Sequence, residues 1–211
     1  MILSIVELAD MVLMVGIIGF LFQGILRAPP RETDAMVRHY RRAPRSASWD
    51  DFWWACALIA PGILLHELGH KFTAMSFGQA ATFHAACSVS DAATGGFFSS
   101  LCVLQLVVIG LKVVGFPFLF FVPAYVSFSS GVAPLAGAAI AIAGPLVHLA
   151  FWGGCTLYLR NARRVRHLSA RKRLFLAFTA RINLFLFIFN ILPIPGFDGF
   201  QVLRYLWFAV V

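Results

Sequence analysis

Residues 52–78 read FWWACALIAPGILLHELGHKFTAMSFG, a mainly apolar stretch with two histidines, a glutamate and a lysine in its second half. A helix of roughly 20 residues crosses the hydrocarbon core of a bilayer, so this stretch is long enough to span one. Its opening Phe52, Trp53 and Trp54 are typical of an aromatic belt at the membrane surface. The stretch therefore predicts a transmembrane helix that carries polar chemistry in one half.

The composition of the whole chain also indicates a membrane protein. Of its 211 residues, 60% are hydrophobic and only 12% are charged, whereas about a quarter of a soluble domain is charged. This excludes a cytosolic enzyme, a disulfide-rich secreted module and a disordered regulator. The four cysteines show no C-x-x-C spacing, so we interpret them as buried thiols and expect no disulfide. They are Cys56, Cys87, Cys102 and Cys155.

Further apolar stretches predict an all-α polytopic membrane protein with about five to six transmembrane helices. The expected spans are residues 2–26, 52–78, 135–159 and 174–193, with a further apolar stretch at 101–122 and a short one at the C-terminal end. The first span lacks a basic start and a small-residue cleavage site, so we interpret it as a retained anchor. We expect one integral-membrane domain over 1–211, with a core at 52–200 and an accessory span and basic loop at 1–51.

Two segments after the polar helix do not resemble ordinary spans. Residues 79–100 are rich in Thr, Ser and Gly and are too polar to face lipid, so we expect a re-entrant or β-like segment there. Such a segment could pair with an extended substrate by strand addition. Residues 101–122 contain Gly110, Gly115 and Pro117, so they either cross the bilayer or re-enter as a hairpin.

The run His66-Glu67-Leu68-Gly69-His70 fits H-E-x-x-H. On a helix, about 100° per residue brings the two imidazoles to one face, where both could bind one zinc ion. Glu67 would lie beside that ion without binding it, and could take a proton from the attacking water as general base. The motif also arises by chance on solvated helices. In an apolar span, however, each ionisable residue costs roughly 2.5–3.5 kcal/mol, so a compensating metal ion is favoured.

A third protein ligand can be sought by elimination. Asp198 is the best candidate, because it follows a strongly apolar segment in a Pro/Gly-broken stretch. Non-helical backbone at membrane depth is tolerated only where it lines protein or a water-filled cavity. His148, on another apolar helix, is the runner-up. We interpret His84 and Asp91 as polar groups of a water-accessible loop.

Two motifs together resemble the site-2 protease family of intramembrane zinc metalloproteases. They are His66-Glu67-Leu68-Gly69-His70 and Asn190-Ile191-Leu192-Pro193-Ile194-Pro195-Gly196-Phe197-Asp198-Gly199, which fits N-x-x-P-x-x-x-x-D-G. Ala143-Gly144-Pro145 on the helix between them also recurs in that family. The resemblance covers roughly residues 52–200. It implies Zn²⁺ bound by His66, His70 and Asp198, with Glu67 as general base and Asn190 as a hydrogen-bond donor to substrate or the oxyanion.

The resemblance implies an intramembrane zinc endopeptidase that cuts a peptide bond in or near a transmembrane segment. Its expected substrates are single-span membrane proteins or signal peptides. The alternatives are a metal transporter or a non-catalytic membrane protein that uses the same His/His/Asp site. We expect a multi-pass protein of the cell membrane whose basic loops, 27–51 and 160–173, contact lipid headgroups and no nucleic acid. The positive-inside rule and the family's usual orientation give opposite answers for which side those loops face.

Overall fold

A computed structural model of the protein describes residues 3–29, 48–89, 100–116, 124–129 and 131–211. The predicted loop residue Asp91 and most of the two loops that flank α3 lie outside these ranges. The elements are α1 (Ile5–Phe22), α2 (Trp49–Ser76), β1 (Ala81–Ala85), α3 (Ser100–Val113), β2 (Ala124–Phe128), α4 (Pro134–Arg160), α5 (Ala162–Val165), α6 (Ala170–Asn190) and α7 (Asp198–Val210).

The expectation of a mainly helical, polytopic membrane protein is confirmed. Four helices among the described residues, α1, α2, α4 and α6, are long and apolar enough to cross a membrane. The short α3 has 14 residues, or about 21 Å of helix, which falls short of a bilayer core. A β-like segment does follow α2, because β1 pairs antiparallel with β2 in a two-stranded sheet.

Local sequence explains where the helices begin. Ser4 caps α1 and Ser48 caps α2, and in each case the acid three residues later completes a capping box. Ser169 accepts a hydrogen bond from the N–H of Lys172 at the start of α6. Pro134 lies at the start of α4. The first N–H groups of a helix have no hydrogen-bond partner within it, so proline costs no hydrogen bond there.

Helices α2, α4 and α6 pack against one another, and side-chain contacts give their directions. His70 contacts Ile140, whereas His66 stacks near His148, so α2 and α4 run antiparallel. The Trp54 ring of α2 meets Phe175 of α6. Further along both helices, a Cβ at Gly62 would strike Asn183, so α2 and α6 run parallel.

Helix α1 lies against α2 in the opposite direction. Lys71 contacts Glu7 near one end of the pair, and Cys56 contacts the Val15 carbonyl further along. The end of α1, the start of α2, the end of α4 and the start of α6 therefore lie on one side. Both basic loops join helix ends on that side, and the pairing of β1 with β2 returns the chain to the opposite side before α4.

The expectation of four free thiols is wrong for two of them. Cys87, just after β1, and Cys102, in the first turn of α3, form a disulfide with Cα atoms 4.5 Å apart. The spacing along the chain carries no sign of this, because the pairing depends on α3 turning back towards β1. Cys56 and Cys155 are free.

Candidate metal centre

The two histidines of α2 and the aspartate at the start of α7 converge on one point. His66 Nε2 lies 3.1 Å from Asp198 Oδ2, and His70 Nε2 lies 3.4 Å from Asp198 Oδ1. The two Nε2 atoms are 3.1 Å apart. Among the described residues these three form a group of possible metal ligands, with donor atoms within 4.8 Å of one another. Residues 66 and 70 meet because one helical turn separates them.

The hydrogen bonding of the histidines suits metal binding. His70 Nδ1 lies 2.7 Å from the carbonyl oxygen of Ile140, so Nδ1 carries the hydrogen and the Nε2 lone pair faces the other donors. In the described structure, the buried atoms His66 Nδ1 and Asp198 Oδ2 have no hydrogen-bond partner. Oδ2 is within ion-pair distance of His66, but the contact does not have hydrogen-bond geometry. Lone pairs that face one another in a buried space need a cation between them.

Glycine at position 144 makes room for these donors. A Cβ at Gly144 would come within 2.3 Å of His70 Nε2 and 2.7 Å of His66 Cε1. Gly69 lies in the same crossing, where a Cβ would be 3.2 Å from the Ala143 carbonyl oxygen. The Ala-Gly-Pro segment of α4 therefore allows the backbones of α2 and α4 to approach closely at the imidazoles. The residues present fit a metal ion.

Asp198 reaches the histidines because the chain breaks between α6 and α7. Gly196 adopts a φ of +99° in the turn after Pro195, a conformation that glycine accepts easily. A Cβ at Gly199 would meet the Ile191 carbonyl oxygen at 2.1 Å, so the start of α7 packs directly on that backbone.

Glu67 and Asn190 lie beside this group and are not part of it. The Glu67 side chain is buried, and no hydrogen bond or ion pair joins its carboxylate to any other described residue. Asn190 is the last residue of α6 and is half-buried, and Ile191 takes the C-cap position. Its side-chain amide likewise has no hydrogen-bond partner within the described ranges. Both groups therefore remain available to a substrate.

His148, the runner-up ligand, lies outside the group of three donors. Its ring stacks 4.7 Å from that of His66, and its Nδ1 lies 2.9 Å from Asn183 Oδ1. Asn183 Nδ2 in turn donates to the Thr179 carbonyl at 2.9 Å. The sequence analysis did not identify Asn183 as part of the site. A lone asparagine within an apolar span does, however, indicate a buried polar contact.

His84 lies on β1, away from the metal ligands. Its Nε2 is 3.0 Å from Ser127 Oγ, and its ring stacks on Tyr125 of β2. Through these contacts His84 pairs with side chains of the neighbouring strand. It is therefore part of the sheet and not, as the sequence had suggested, of a loop.

Comparison with known proteins adds two findings. Residues 163–211, which include Asn190 and Asp198, match the family model described as Peptidase family M50. A protein of Bacillus subtilis (strain 168) named "Putative zinc metalloprotease YwhC" is 37% identical over 75 residues, covering 33% of this chain and 34% of the relative. The match thus spans about a third of the length of that curated relative. No solved structure matches the chain.

Proposed function

We propose that the chain is a zinc endopeptidase of the site-2 protease kind, similar to peptidase family M50, that cuts membrane-protein substrates within or near the bilayer. The observation that carries the proposal is the convergence of His66, His70 and Asp198 from two distant parts of the chain. Two imidazoles and a carboxylate are a ligand set that zinc accepts at catalytic sites, where a fourth position stays open. Asp198 is the most exposed of the three ligands, which suits access by water and substrate.

Glu67 and Asn190 would have separate roles in peptide hydrolysis. When bound, zinc would polarise a water molecule and the substrate carbonyl. Glu67, buried and without a partner in the described structure, would accept the proton of the attacking water and return it to the leaving amine. Asn190 Nδ2 would donate a hydrogen bond to the carbonyl oxygen as negative charge develops on it.

The sheet supports a docking edge, but on a different strand from the one we expected. The outward N–H groups of Phe83 and Ala85 on β1 already donate to carboxylates of α1, at 2.8 and 3.2 Å. Since Phe83 faces Val126, the N–H of Val126 points away from β1. No described group accepts that N–H. An extended substrate segment would therefore add to the outer edge of β2.

A proline at the outer edge of β2 tests this docking. Val126→Pro removes an outward N–H that β1 does not use, and proline is tolerated on edge strands. We expect KM to rise while metal content stays unchanged. Ser127→Pro is the matched control, because that N–H faces β1 and its loss should disturb the sheet itself. Wild-type KM for the Val126 variant would count against docking at β2.

The central experiment is metal analysis beside cleavage of a panel of single-span membrane peptides. Wild type should contain about one zinc per chain, and His66→Ala and Asp198→Ala should lose it. Glu67→Gln should keep the zinc and lose cleavage by roughly 100- to 10,000-fold, the usual worth of a general base. A Glu67→Gln protein that cleaves at the wild-type rate would overturn the proposal. Metal flux into vesicles that survives Glu67→Gln would favour a transporter instead.

A further inference from the structure

Helix α1 carries two carboxylates that the metal centre does not use. Glu7 sits in the first turn and is almost fully buried, and its Oε2 accepts the N–H of Ser4 at 2.8 Å to complete the capping box. Its Oε1 accepts the N–H of Phe83 on β1 at 2.8 Å. The same oxygen forms a buried ion pair with Lys71. One side chain therefore joins α1, the sheet and α2.

Asp10, one turn further along α1, binds the end of the same strand. Its Oδ2 accepts the N–H of Ala85 at 3.2 Å and the hydroxyl of Ser88 at 2.6 Å. Its Oδ1 accepts the N–H of Val89 at 2.8 Å. Asp10 has no exposed surface, and these three donors satisfy both oxygens of its carboxyl group. The strand and the turn that follows it are held by two residues in the first two turns of α1.

The contact with α2 falls directly beside a predicted zinc ligand. Lys71 follows His70 in the chain and is 2% exposed. Its long side chain leaves α2 and ends on Glu7. Besides the packing of Phe83 and Ala124 against α2, an ion pair and the strand bond that shares its carboxylate link the sheet to the residue next to His70.

We propose that Glu7 and Asp10 are positioning residues that lock the sheet to the metal-bearing helix and so set where a substrate strand lies relative to the scissile-bond site. The inference rests on the proposed function only for its consequence on cleavage. A β1 strand held by α1 fixes β2 through their pairing, and β2 carries the free edge. Because catalysis is sensitive to displacements of about 1 Å, releasing β1 should cost about 100-fold in kcat/KM.

The first test does not depend on activity. Hydrogen–deuterium exchange of the purified full chain should be about tenfold faster over residues 81–89 in Glu7→Gln and in Asp10→Asn than in wild type. Asp51→Asn is the matched control, because Asp51 is an equally buried carboxylate that accepts backbone N–H groups at the other end of α2. It should leave exchange over 81–89 unchanged. Equal exchange in wild type and in Glu7→Gln would overturn the inference. If Glu7→Gln does not fold, Asp10→Asn decides, since it leaves the Lys71 pair intact.

The second test separates positioning from simple stability. Glu7→Gln should keep its zinc, raise KM and spread the cut over neighbouring peptide bonds of a membrane peptide, as mass spectrometry of the products would show. Asp51→Asn should cut at the wild-type bond. A single wild-type cut with wild-type KM in Glu7→Gln would contradict the inference.

A charge swap probes the shared carboxylate. The double variant Glu7→Lys with Lys71→Glu restores an ion pair but places no acceptor for the Phe83 N–H. We expect this double variant to cleave more slowly than wild type and to keep the faster hydrogen exchange over residues 81–89. Full recovery of both would show that Glu7 does not need to bind the Phe83 N–H and Lys71 together. Should wild type itself cleave nothing, the proposed function fails, while the exchange experiment still decides whether α1 positions the sheet.

Discussion

Two groups of buried ionisable side chains include neighbouring residues of α2, Lys71 in one and His70 in the other, and they differ in how their hydrogen bonds are satisfied. In the α1 cluster of Glu7, Asp10 and Lys71, each carboxylate oxygen receives a donor from the chain. In the metal cluster of His66, His70 and Asp198, acceptor atoms face one another instead. The first cluster is therefore satisfied by the chain itself, whereas the second leaves buried atoms without a partner among the described residues.

The difference distinguishes a structural use of buried charge from a chemical one. A buried charge is tolerated when it is paired and hydrogen-bonded, and this is the state of the α1 cluster. An unsatisfied buried group is costly. Among the described residues, Gln105 and Thr179 also have buried atoms without a partner, but only at His66 Nδ1 and Asp198 Oδ2 do such atoms belong to a group of possible metal ligands.

The largest effect should come from filling the space that the metal cluster keeps open. Gly144→Ala would place a Cβ within 2.3 Å of His70 Nε2, so the imidazoles would be displaced. We expect loss of bound zinc and a fall in cleavage of at least about 100-fold. Metal analysis and peptide cleavage measure both.

Gly153→Ala on the same helix is the matched control, because a Cβ there meets nothing within 4 Å. It should bind zinc and cleave like wild type. Full zinc occupancy in Gly144→Ala would show that the donors do not need this close approach.

An effect on cleavage alone, without loss of zinc, is expected at Asn190, which lies beside the metal cluster without belonging to it. Asn190→Ala should keep zinc and lower kcat by roughly 100- to 1,000-fold, as removal of an oxyanion donor does elsewhere. Single-turnover cleavage with metal analysis would measure it. If Asn190→Ala has the wild-type kcat and only its melting temperature changes, Asn190 has a structural role at the end of α6.

The three residues that converge in the structure could be named from the sequence, and their binding of a metal ion stays a prediction. Two histidines one turn apart lie on one helix face whatever the fold. The Pro/Gly-broken stretch before Asp198 also marked a break in a helix at membrane depth. The roles of Glu67 and Asn190 stay predictions until cleavage is measured.

The α1 cluster could not be predicted in the same way. Glu7 and Asp10 stood out as acids in an apolar span, but their partners are mostly backbone N–H groups of β1, which carry no signature in the sequence. The Cys87–Cys102 disulfide and the pairing of β1 with β2 were missed for the same reason. Each depends on the path of the chain between α2 and α4, and residue types do not specify that path.

An intermediate effect is expected at Asn183, which links the metal cluster to α6 through His148. Asn183→Leu removes the acceptor for His148 Nδ1 at 2.9 Å and leaves a buried donor unpaired, which costs about 1–3 kcal/mol. We expect a lower melting temperature and about tenfold slower cleavage, with zinc retained because His148 is outside the donor group. Loss of zinc in this variant would restore His148 as a candidate ligand.

The smallest effect on cleavage is expected where a satisfied carboxylate is far from both substrate and metal. Asp51 accepts the N–H groups of Ala28 at 2.8 Å and of Ser48 at 3.2 Å, and so ties the end of the α1 segment to the start of α2. Asp51→Asn weakens these bonds and should reduce the free energy of unfolding by about 1–3 kcal/mol. Cleavage at a temperature well below the melting transition should stay at the wild-type rate. A loss of cleavage comparable to that of Glu7→Gln would mean that any weakened helix contact disturbs the site, and the distinction between the two ends of α2 would fail.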